Sequence, residues 1–240
     1  MHYLRQHLPA TGQILDAGEG PGRYTLELCR SGYEVVLLDI SSELIRLARV
    51  QFLLDPEQVQ HRLLDAVVGD VGDLSQFGSQ RFDAVLCLGG PLTHIADQGQ
   101  RPKAMSELVR VAKAGALVCV SVMGLLAVLR TIMMKFSDEL LSSSLDHLLL
   151  AGNTTGTTGT MWHFFRADEL RQLAESCGLT TITMAGCEGL SAGLAEATNQ
   201  LGQDEAKWSR WLEVVLRTSA EPAVVDLSEH ILYLGRAGKR

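Results

Sequence analysis

Short runs of consecutive apolar residues recur along the chain, and each is followed by turn residues and then by an amphipathic stretch. The first run begins at Ile14, and later ones lie within residues 33–40, 66–69, 82–88 and 118–122. Unbroken apolar runs are typical of parallel strands that are covered on both faces. Their alternation with helical patterns predicts a doubly wound α/β fold.

The stretch from Ile14 to Leu28 joins the first strand to the first helix through a turn. Three alternate glycines form this turn: Gly18, Gly20 and Gly22. Glycine removes side chains where the backbone turns sharply and where a ligand approaches the main chain. The helix is predicted to begin near Pro21, whose fixed φ suits a first turn. Asp16, at the end of the strand, is expected at the lip of the crevice where open α/β sheets bind ligands.

Two large classes of cofactor-binding protein use such a turn. The dinucleotide fingerprint requires G-x-G-x-x-G, but the sixth position counted from Gly18 is Arg23, and the third glycine comes one residue early at Gly22. The pattern in this chain is D-x-G-x-G-x-G. It resembles the first motif of class I S-adenosylmethionine-dependent methyltransferases. That resemblance implies that Asp16 contacts the methionine end of the cofactor.

Asp39 ends the second apolar run, about 20 residues beyond the glycine turn, where an acid binds ribose in related folds. A carboxylate can accept from both ribose hydroxyls of an adenosyl group. Ser41 and Ser42 are already present to cap the next helix. The letters DISSELIRLAR are similar to those at this point of the methyltransferase family. We therefore expect Asp39 on the ribose and Ile40 on the adenine.

The resemblance also assigns residues after the third and fourth strands. It implies that Asp70 accepts from the exocyclic amine of adenine and that the Val71 backbone meets the ring. The alternative for Asp70 is an Asx-turn leading into the next loop, which is also our interpretation of Asp73. The same resemblance implies that Leu88 and Gly89 line the methionine moiety.

The loop after the fourth strand, GGPLTHI, lies where methyltransferases place the reacting group. It lacks the Asn/Asp-Pro-Pro-aromatic motif of nucleobase amine methyltransferases, so the resemblance disfavours that substrate class. His94 has two open interpretations: a general base, because neutral imidazole titrates near working pH, or a packing residue. His163 likewise either reaches the substrate cleft or is structural. Methyl transfer from a sulfonium depends mainly on in-line approach and desolvation.

Two segments have no counterpart in the family pattern, and we expect both to be insertions in one domain of residues 1–240. Residues 124–165 contain an apolar helix, a second helix over 137–150 and the tract GNTTGTTGT. We expect them to cap the carboxyl edge of the sheet with a mobile strap. The two methionines of this segment, Met133 and Met134, either touch an apolar substrate or fill core space.

Residues 188–226 form the second expected insertion. One helix there carries apolar side chains at spacings that share a face: Trp208, Trp211, Leu212 and Val215. This face has three open interpretations, namely core, a homodimer or protein-partner contact, and a hydrophobic substrate wall. The lead-in of residues 1–12 is short for the family, so the lid of the substrate site is expected to come from elsewhere.

Composition and net charge limit the classes of molecule that this protein is expected to bind. The chain has 240 residues, 46% hydrophobic and 20% charged, with a net charge of −7. This balance argues against a broad nucleic-acid or anionic-membrane surface and favours a small molecule or a protein as partner. Five widely spaced cysteines without a C-x-x-C pair predict neither a disulfide framework nor a metal site, and favour a cytoplasmic location. The apolar stretch Ala114–Met134 is interrupted by Gly124 and Arg130, which disfavours a membrane span.

The combined prediction is a seven-stranded, mostly parallel sheet whose last strand, HILYLGR, is antiparallel as the resemblance implies. The predicted activity is methyl transfer from S-adenosylmethionine to a small-molecule acceptor at an O, N, S or C atom. Two alternatives remain open at this point. One is a catalytically silent methyltransferase-fold protein that binds or regulates a partner, and the other is an NAD-dependent oxidoreductase.

Overall fold

The computed structural model describes residues 1–18, 20–95, 97–155 and 159–238, and its central feature is a seven-stranded sheet. The strands of the described residues, including a two-stranded hairpin outside this sheet, are β1 (Gln13–Ala17), β2 (Glu34–Asp39), β3 (Leu63–Val68), β4 (Phe82–Cys87), β5 (Ala112–Met123), β6 (Asn153–Thr154), β7 (Trp162–His163), β8 (Leu179–Gly186) and β9 (His230–Ala237). Strands β6 and β7 form the hairpin.

Helices connect these strands. They are α1 (His2–His7), α2 (Arg23–Arg30), α3 (Ser42–Phe52), α4 (Glu57–Gln60), α5 (Gln100–Val111), α6 (Leu125–Lys135), α7 (Ser143–Ala151), α8 (Ala167–Ser176), α9 (Ala195–Leu201), α10 (Glu205–Thr218) and α11 (Pro222–Leu227). Single 3₁₀ turns cover Pro91–His94, Ser137–Leu141 and Gly189–Ser191. Among the described helices, none combines the length and the apolar character needed to cross a bilayer.

The strand order is β3-β2-β1-β4-β5-β9-β8. Strands β1 to β5 run parallel to one another, whereas β9 runs antiparallel to both β5 and β8. The predicted fold is therefore confirmed, including the antiparallel last strand. Because the chain leaves β1 first towards β2 and later towards β4, the carboxyl ends of these strands open a crevice between two diverging connections.

The sheet is covered on both faces by separate groups of buried side chains. One face packs Leu15, Val85 and Val118 beneath α5 and α8, while the other packs Ile14 and Leu86 beneath α1 and α2. Side chains of successive strand residues point to opposite faces. This two-sided burial explains why the apolar runs of the sequence are continuous and do not alternate.

Two local features differ from the predictions. Helix α2, predicted to begin near Pro21, begins two residues later at Arg23, because Gly22 at its N-cap has φ +84°, a left-handed conformation that a helix cannot pass through. The helix predicted over 137–150 is divided into the 3₁₀ turn and α7, with Ser142 between them accepting from the Ser144 backbone N–H.

The first of the two segments expected to be insertions has its own small core. Leu125, Ile132, Leu148 and Phe164 pack together in residues 124–165. Met133 and Met134 are 60% and 46% exposed, so neither fills a core position. Within the tract predicted to be a mobile strap, residues 152–160, Asn153–Thr154 form β6 and pair with β7, while residues 156–158 lie outside the described part of the chain.

The loop after β8 is tied to the start of β9 by a Glu188–His230 pair. The two oxygens of Glu188 accept from the His230 backbone N–H at 2.8 Å and contact its Nδ1 at 2.7 Å. The hydrogen bond to Glu188 raises the pKa of His230 above its usual 6.5. For Glu188, burial raises the pKa, but the hydrogen bonds to His230 outweigh it, and its pKa lies below the usual 4.5.

These opposite pKa shifts predict a pH-dependent stabilisation. The His230 contribution is fully present below its unfolded pKa and is lost as the pH rises through its folded pKa, whereas the Glu188 contribution is lost as the pH falls. Glu188→Gln should therefore cost more stability near about pH 5.5 than near about pH 8.5, measured by urea unfolding. Glu57→Gln, in the exposed Glu57–His61 pair, should show no such difference. Equal losses at both pH values in the Glu188 variant would contradict this account.

Candidate functional site

A cavity of about 500 Å³ lies over the carboxyl ends of β1, β2 and β4. The residues that line it come from the turns after these strands and after β3: Gly18, Gly20, Asp39, Ile40, Ser41, Leu44, Gly69, Asp70, Val71, Gly89, Pro91, His94 and Ile95. Seven of the ten residues predicted to bind the cofactor, together with the candidate catalytic His94, are thus brought around one space. The other three, Asp16, Gly22 and Leu88, do not line it.

Asp39 ties the glycine turn to the end of β2. Its side chain is 6% exposed, and one oxygen accepts from the Gly20 backbone N–H at 2.8 Å while the other accepts from the Ser41 N–H at 2.8 Å. Each carboxylate oxygen can accept a second hydrogen bond. The carboxylate is therefore held in place by the main chain and retains capacity for two ligand hydroxyls.

The glycines of the turn have two different roles. A Cβ added at Gly18 would lie 2.4 Å from Cγ of Pro91, so a side chain there would collide with the loop that follows β4. Gly22 instead faces the protein interior, where a Cβ would lie 3.3 Å from Ala48 and from Leu37. Gly18 thus permits two loops to meet at the cavity, whereas Gly22 permits close packing of α3 on β2.

Asp70 and Asp73 both form turns with the backbone. The N–H of Gly72 donates to Asp70 at 2.7 Å, and that of Ser75 donates to Asp73 at 3.1 Å. The Asx-turn considered for Asp70 is therefore present, and it engages only Oδ1, while Asp70 itself lines the cavity. Val71 is 7% exposed beside it. Ile40, on the other side of the cavity, is 72% exposed and offers an apolar surface to it.

Asp16 lies beneath the turn and not at its open lip. The side chain is completely buried, and its Oδ2 accepts from the hydroxyl of Thr25 at 2.6 Å. Thr25 belongs to the first turn of α2, where the helix dipole favours a negative charge. The predicted position of Asp16 at the lip was wrong because the carboxylate is engaged by α2.

Leu88 and Gly89 face different cavities. Gly89 lines the large cavity, and its backbone N–H donates to Oγ of Ser121 at 2.9 Å. Leu88 and Ser121 line a second cavity of about 250 Å³, enclosed also by α1 and α10. The two cavities therefore lie close to one another at the end of β4, where Gly89 donates to Ser121. Helix α1 forms part of the wall of the second cavity.

The loop that carries His94 is fixed at both ends. The Thr93 hydroxyl accepts from the Met123 backbone N–H at 3.0 Å, and the buried Arg101 donates to the Ile95 carbonyl at 3.2 Å. The ring of His94 lies against Trp162, with centroids 4.8 Å apart. Residues 124–165 thus approach the large cavity at His94. None of them is among the described residues that line this cavity.

His163 has a structural role. It is 2% exposed, with Nδ1 2.7 Å from Oδ1 of Asn153 and Nε2 2.6 Å from Oε1 of Glu169. Both ring nitrogens are therefore engaged. Of its two interpretations, the structural one fits these contacts.

Several lining residues of the two cavities were not singled out from the sequence. Ser41 and Leu44 follow directly from Asp39 and the start of α3, so their place was foreseeable once Asp39 was assigned. Tyr3, Tyr24 and Leu216 meet at the second cavity from three distant parts of the chain. No local pattern connects them, so only the fold reveals that cavity.

The stripe of α10 is divided between core and cavity wall. Trp208 and Trp211 are half-buried, and the indole N–H of Trp211 donates to Ser191 Oγ at 2.8 Å. Val215 is 9% exposed and lines the second cavity. This contact of Trp211 is thus made within the chain, and Val215 contributes to the wall of the second cavity.

The large cavity fits an adenosyl cofactor on structural grounds. A carboxylate fixed by two N–H groups stands beside apolar Ile40 and Val71, as a ribose next to an adenine requires. A Cβ added at Gly89, φ +81°, would meet nothing within 4 Å, so the backbone there is open to the cavity that Gly89 lines. These residues would hold S-adenosylmethionine through its ribose, its ring and its methionine moiety.

Comparison with known proteins agrees with this geometry. Residues 14–115 match the family model described as a methyltransferase domain. A glycine/sarcosine N-methyltransferase from Aphanothece halophytica is 29% identical over 110 residues, 46% of this chain and 39% of that protein. A ubiquinone biosynthesis O-methyltransferase from Xanthomonas axonopodis pv. citri is 32% identical over 111 residues, 46% of this chain and 44% of that protein. The matched region spans less than half of either relative.

The whole fold has a counterpart among solved structures. A SAM-dependent methyltransferase from Methanosarcina mazei superposes with a TM-score of 0.65 at 21% identity, covering 100% of this chain and 99% of the other. That likeness extends the agreement to the strand order beyond residue 115, where the family match ends. Residues 14–115 thus match a methyltransferase domain, and the chain as a whole has the fold of this solved methyltransferase.

Proposed function

We propose that this protein transfers a methyl group from S-adenosylmethionine to a small-molecule acceptor and releases S-adenosylhomocysteine. The observation that carries the proposal is the pair of adjoining cavities. One has the fixed carboxylate and the bare glycine backbone that suit an adenosyl cofactor, and the other opens at Leu88 and Ser121, beside the end of the first. Two ligands in these cavities would meet at Gly89.

In this proposal the cofactor supplies a methyl group on a sulfonium, which a lone pair of the acceptor attacks as the carbon–sulfur bond breaks and the acceptor's proton passes to solvent. The chain's residues act by placement. Asp39 holds the ribose of the cofactor. Ser121 accepts the hydrogen bond from the Gly89 N–H and so fixes the backbone between the two cavities. Holding two reactants in line can supply a large part of a rate enhancement without a proton-transferring side chain.

The nicotinamide alternative receives no support from the site. Gly22 faces Ala48 and Leu37, not the ligand space, so the third glycine is used for helix packing at a position that does not match the dinucleotide fingerprint. In addition, β9 lies antiparallel between β5 and β8.

Transfer from S-adenosylmethionine labelled in the methyl group tests this proposal. We expect label in the product, with an equal amount of S-adenosylhomocysteine, when the protein is incubated with a panel of small hydroxyl, amine and thiol acceptors. A protein that binds the cofactor but labels no member of the panel would favour the silent, partner-regulating alternative.

His94 provides a further prediction. Its ring packs on Trp162 and lines the cofactor cavity, and it is not among the residues that line the second cavity. We therefore assign it a positioning role. His94→Gln should raise the KM for S-adenosylmethionine several-fold while kcat changes by less than about threefold, since general bases contribute about 100-fold or more. A fall in kcat of about 100-fold, with loss of a pKa near neutrality from the pH profile, would make His94 the base instead.

A further inference from the structure

A buried arginine lies behind the loop that follows β4. Arg101, the second residue of α5, is 4% exposed and is not among the described residues that line the large cavity. Its guanidinium donates to the carbonyl oxygen of Ile95 at 3.2 Å, and Ile95 does line the cavity. We infer that Arg101 is a positioning residue, which holds Ile95 against the cofactor without touching the ligand. The inference rests on the proposed methyltransferase function and adds a residue to its cofactor site.

The position of Arg101 is unfavourable for an arginine on grounds of stability alone. Burying a charge is costly unless the charge is paired and hydrogen-bonded, and the first turn of a helix favours negative charge over positive charge. Burial lowers the pKa of Arg101 from its ordinary value, whereas the charges of Glu169 and Asp97 act in the opposite direction. A methionine, unbranched and apolar, would avoid both costs. The arginine is therefore better explained by the loop carbonyl that it binds.

Phe165 gives the guanidinium a fixed support. Cζ of Arg101 lies 5.8 Å from the centroid of the Phe165 ring, within the range of a cation–π contact. Phe165 is completely buried, its N–H donates to the Met123 carbonyl at 2.9 Å, and its carbonyl accepts from the Leu125 N–H at 2.8 Å. The arginine is thus supported by the backbone that joins the hairpin to the end of β5 and the start of α6.

Glu169 connects the arginine to the hairpin of β6 and β7. Its charge opposes the effect of burial on the pKa of Arg101, and its Oε1 lies 2.6 Å from Nε2 of the buried His163. The preceding residue of β7, Trp162, lies against the ring of His94. The hairpin therefore contacts the loop directly through Trp162 and indirectly through Glu169 and Arg101.

Calorimetric titration of the full chain with S-adenosylhomocysteine tests the inference. Binding to the unmodified protein is measured first, because it tests the proposed function alone. Arg101→Met keeps an unbranched side chain but removes the donor to the Ile95 carbonyl. We expect its Kd to rise at least about tenfold, since the ligand must then order a loop that has lost a charge-assisted hydrogen bond. Arg101→Lys keeps a positive donor and should bring the Kd back to within about threefold of the unmodified protein.

The matched control is Arg62→Met. Arg62 also donates to a loop carbonyl, that of Gly32, but it lies at the amino ends of β2 and β3, on the edge of the sheet opposite the cavity. This variant should lose stability in urea unfolding and keep its Kd within about twofold of the unmodified protein. Equal rises in the Kd of the Arg101→Met and Arg62→Met variants would overturn the inference, because binding would then follow general stability.

A double-mutant cycle shows whether Arg101 acts through Ile95. Ile95→Ala shortens the side chain that lines the cavity and leaves the carbonyl that Arg101 binds. We expect Arg101→Met to raise the Kd by about threefold or less in the Ile95→Ala protein, because the contact that Arg101 positions is already lost. Independent effects of the two substitutions, which multiply in the double variant, would overturn the inference.

Glu169→Gln provides a second test that leaves the buried arginine in place. The Glu169 side chain is 40% exposed, so this variant is expected to fold. Loss of the charge near Arg101 should raise the Kd by about threefold. An unchanged Kd in Arg101→Met, or in Glu169→Gln if the first variant does not fold, would overturn the inference and leave the methyltransferase proposal standing. Failure of S-adenosylhomocysteine to bind the unmodified protein would overturn the proposed function itself.

Discussion

Replacing Asp39 with asparagine should raise the Kd for S-adenosylhomocysteine by about 100-fold or more, because hydrogen bonds to a charged group contribute about 1.5–3 kcal/mol each. Both oxygens of Asp39 accept backbone N–H groups, from Gly20 and Ser41. An amide in its place must point its NH₂ at one of these donors. The variant thus loses the charge that we propose binds the ribose, and it also disturbs the turn. Isothermal titration measures the change.

The matched control for this variant is Asp73→Asn. Asp73 also follows a strand and also accepts from a backbone N–H, that of Ser75, but it does not line the cavity. Because the asparagine oxygen can still accept that single bond, we expect the Kd of this variant to stay within about twofold of the original. A similar loss in both variants would mean that Asp39 acts only through general stability.

Gly18→Ala should be the most disruptive single substitution in the glycine turn. The φ of Gly18 is +81°, and the new Cβ would lie 2.4 Å from Pro91 Cγ. We expect a loss of about 3 kcal/mol of stability, from left-handed backbone strain together with overpacking. Since Pro91 also lines the cavity, its displacement should weaken binding of S-adenosylhomocysteine as well. Urea unfolding and calorimetry measure the two effects.

Gly32→Ala separates backbone strain from collision. Gly32 has φ +101°, but a Cβ there would meet nothing within 4 Å. This variant should lose only about 1 kcal/mol and bind S-adenosylhomocysteine normally. If the two variants were destabilised equally, the collision of the new Cβ with Pro91 would contribute nothing to the loss of stability.

The sequence was sufficient to predict the strands and the large cavity, because both depend on local signals. Continuous apolar runs identified the parallel strands, and the ends of parallel strands necessarily meet at one edge of the sheet. Asp39 and Ile40 were therefore predicted to lie beside Gly18 and Gly20, and the structure brings all four around one space.

The orientation of a side chain does not follow from its place in a motif, since neighbouring residues of a turn can face opposite sides. Asp16, Gly22 and Leu88 were assigned to the cofactor by their position in motifs, but their side chains or Cβ positions face α2, the core and the second cavity. That orientation depends on φ values and on packing partners far along the chain. Tyr3, Ser121 and Leu216 were missed for the same reason, because only tertiary structure brings them together.

The central claim is that the large cavity binds an adenosyl cofactor and no dinucleotide. Calorimetric titration of the unmodified protein with S-adenosylhomocysteine, beside an identical titration with NADH, tests it most directly. The account predicts micromolar binding of S-adenosylhomocysteine with a stoichiometry of one and no binding of NADH. Binding of NADH alone, or of neither ligand at millimolar concentration, would contradict it.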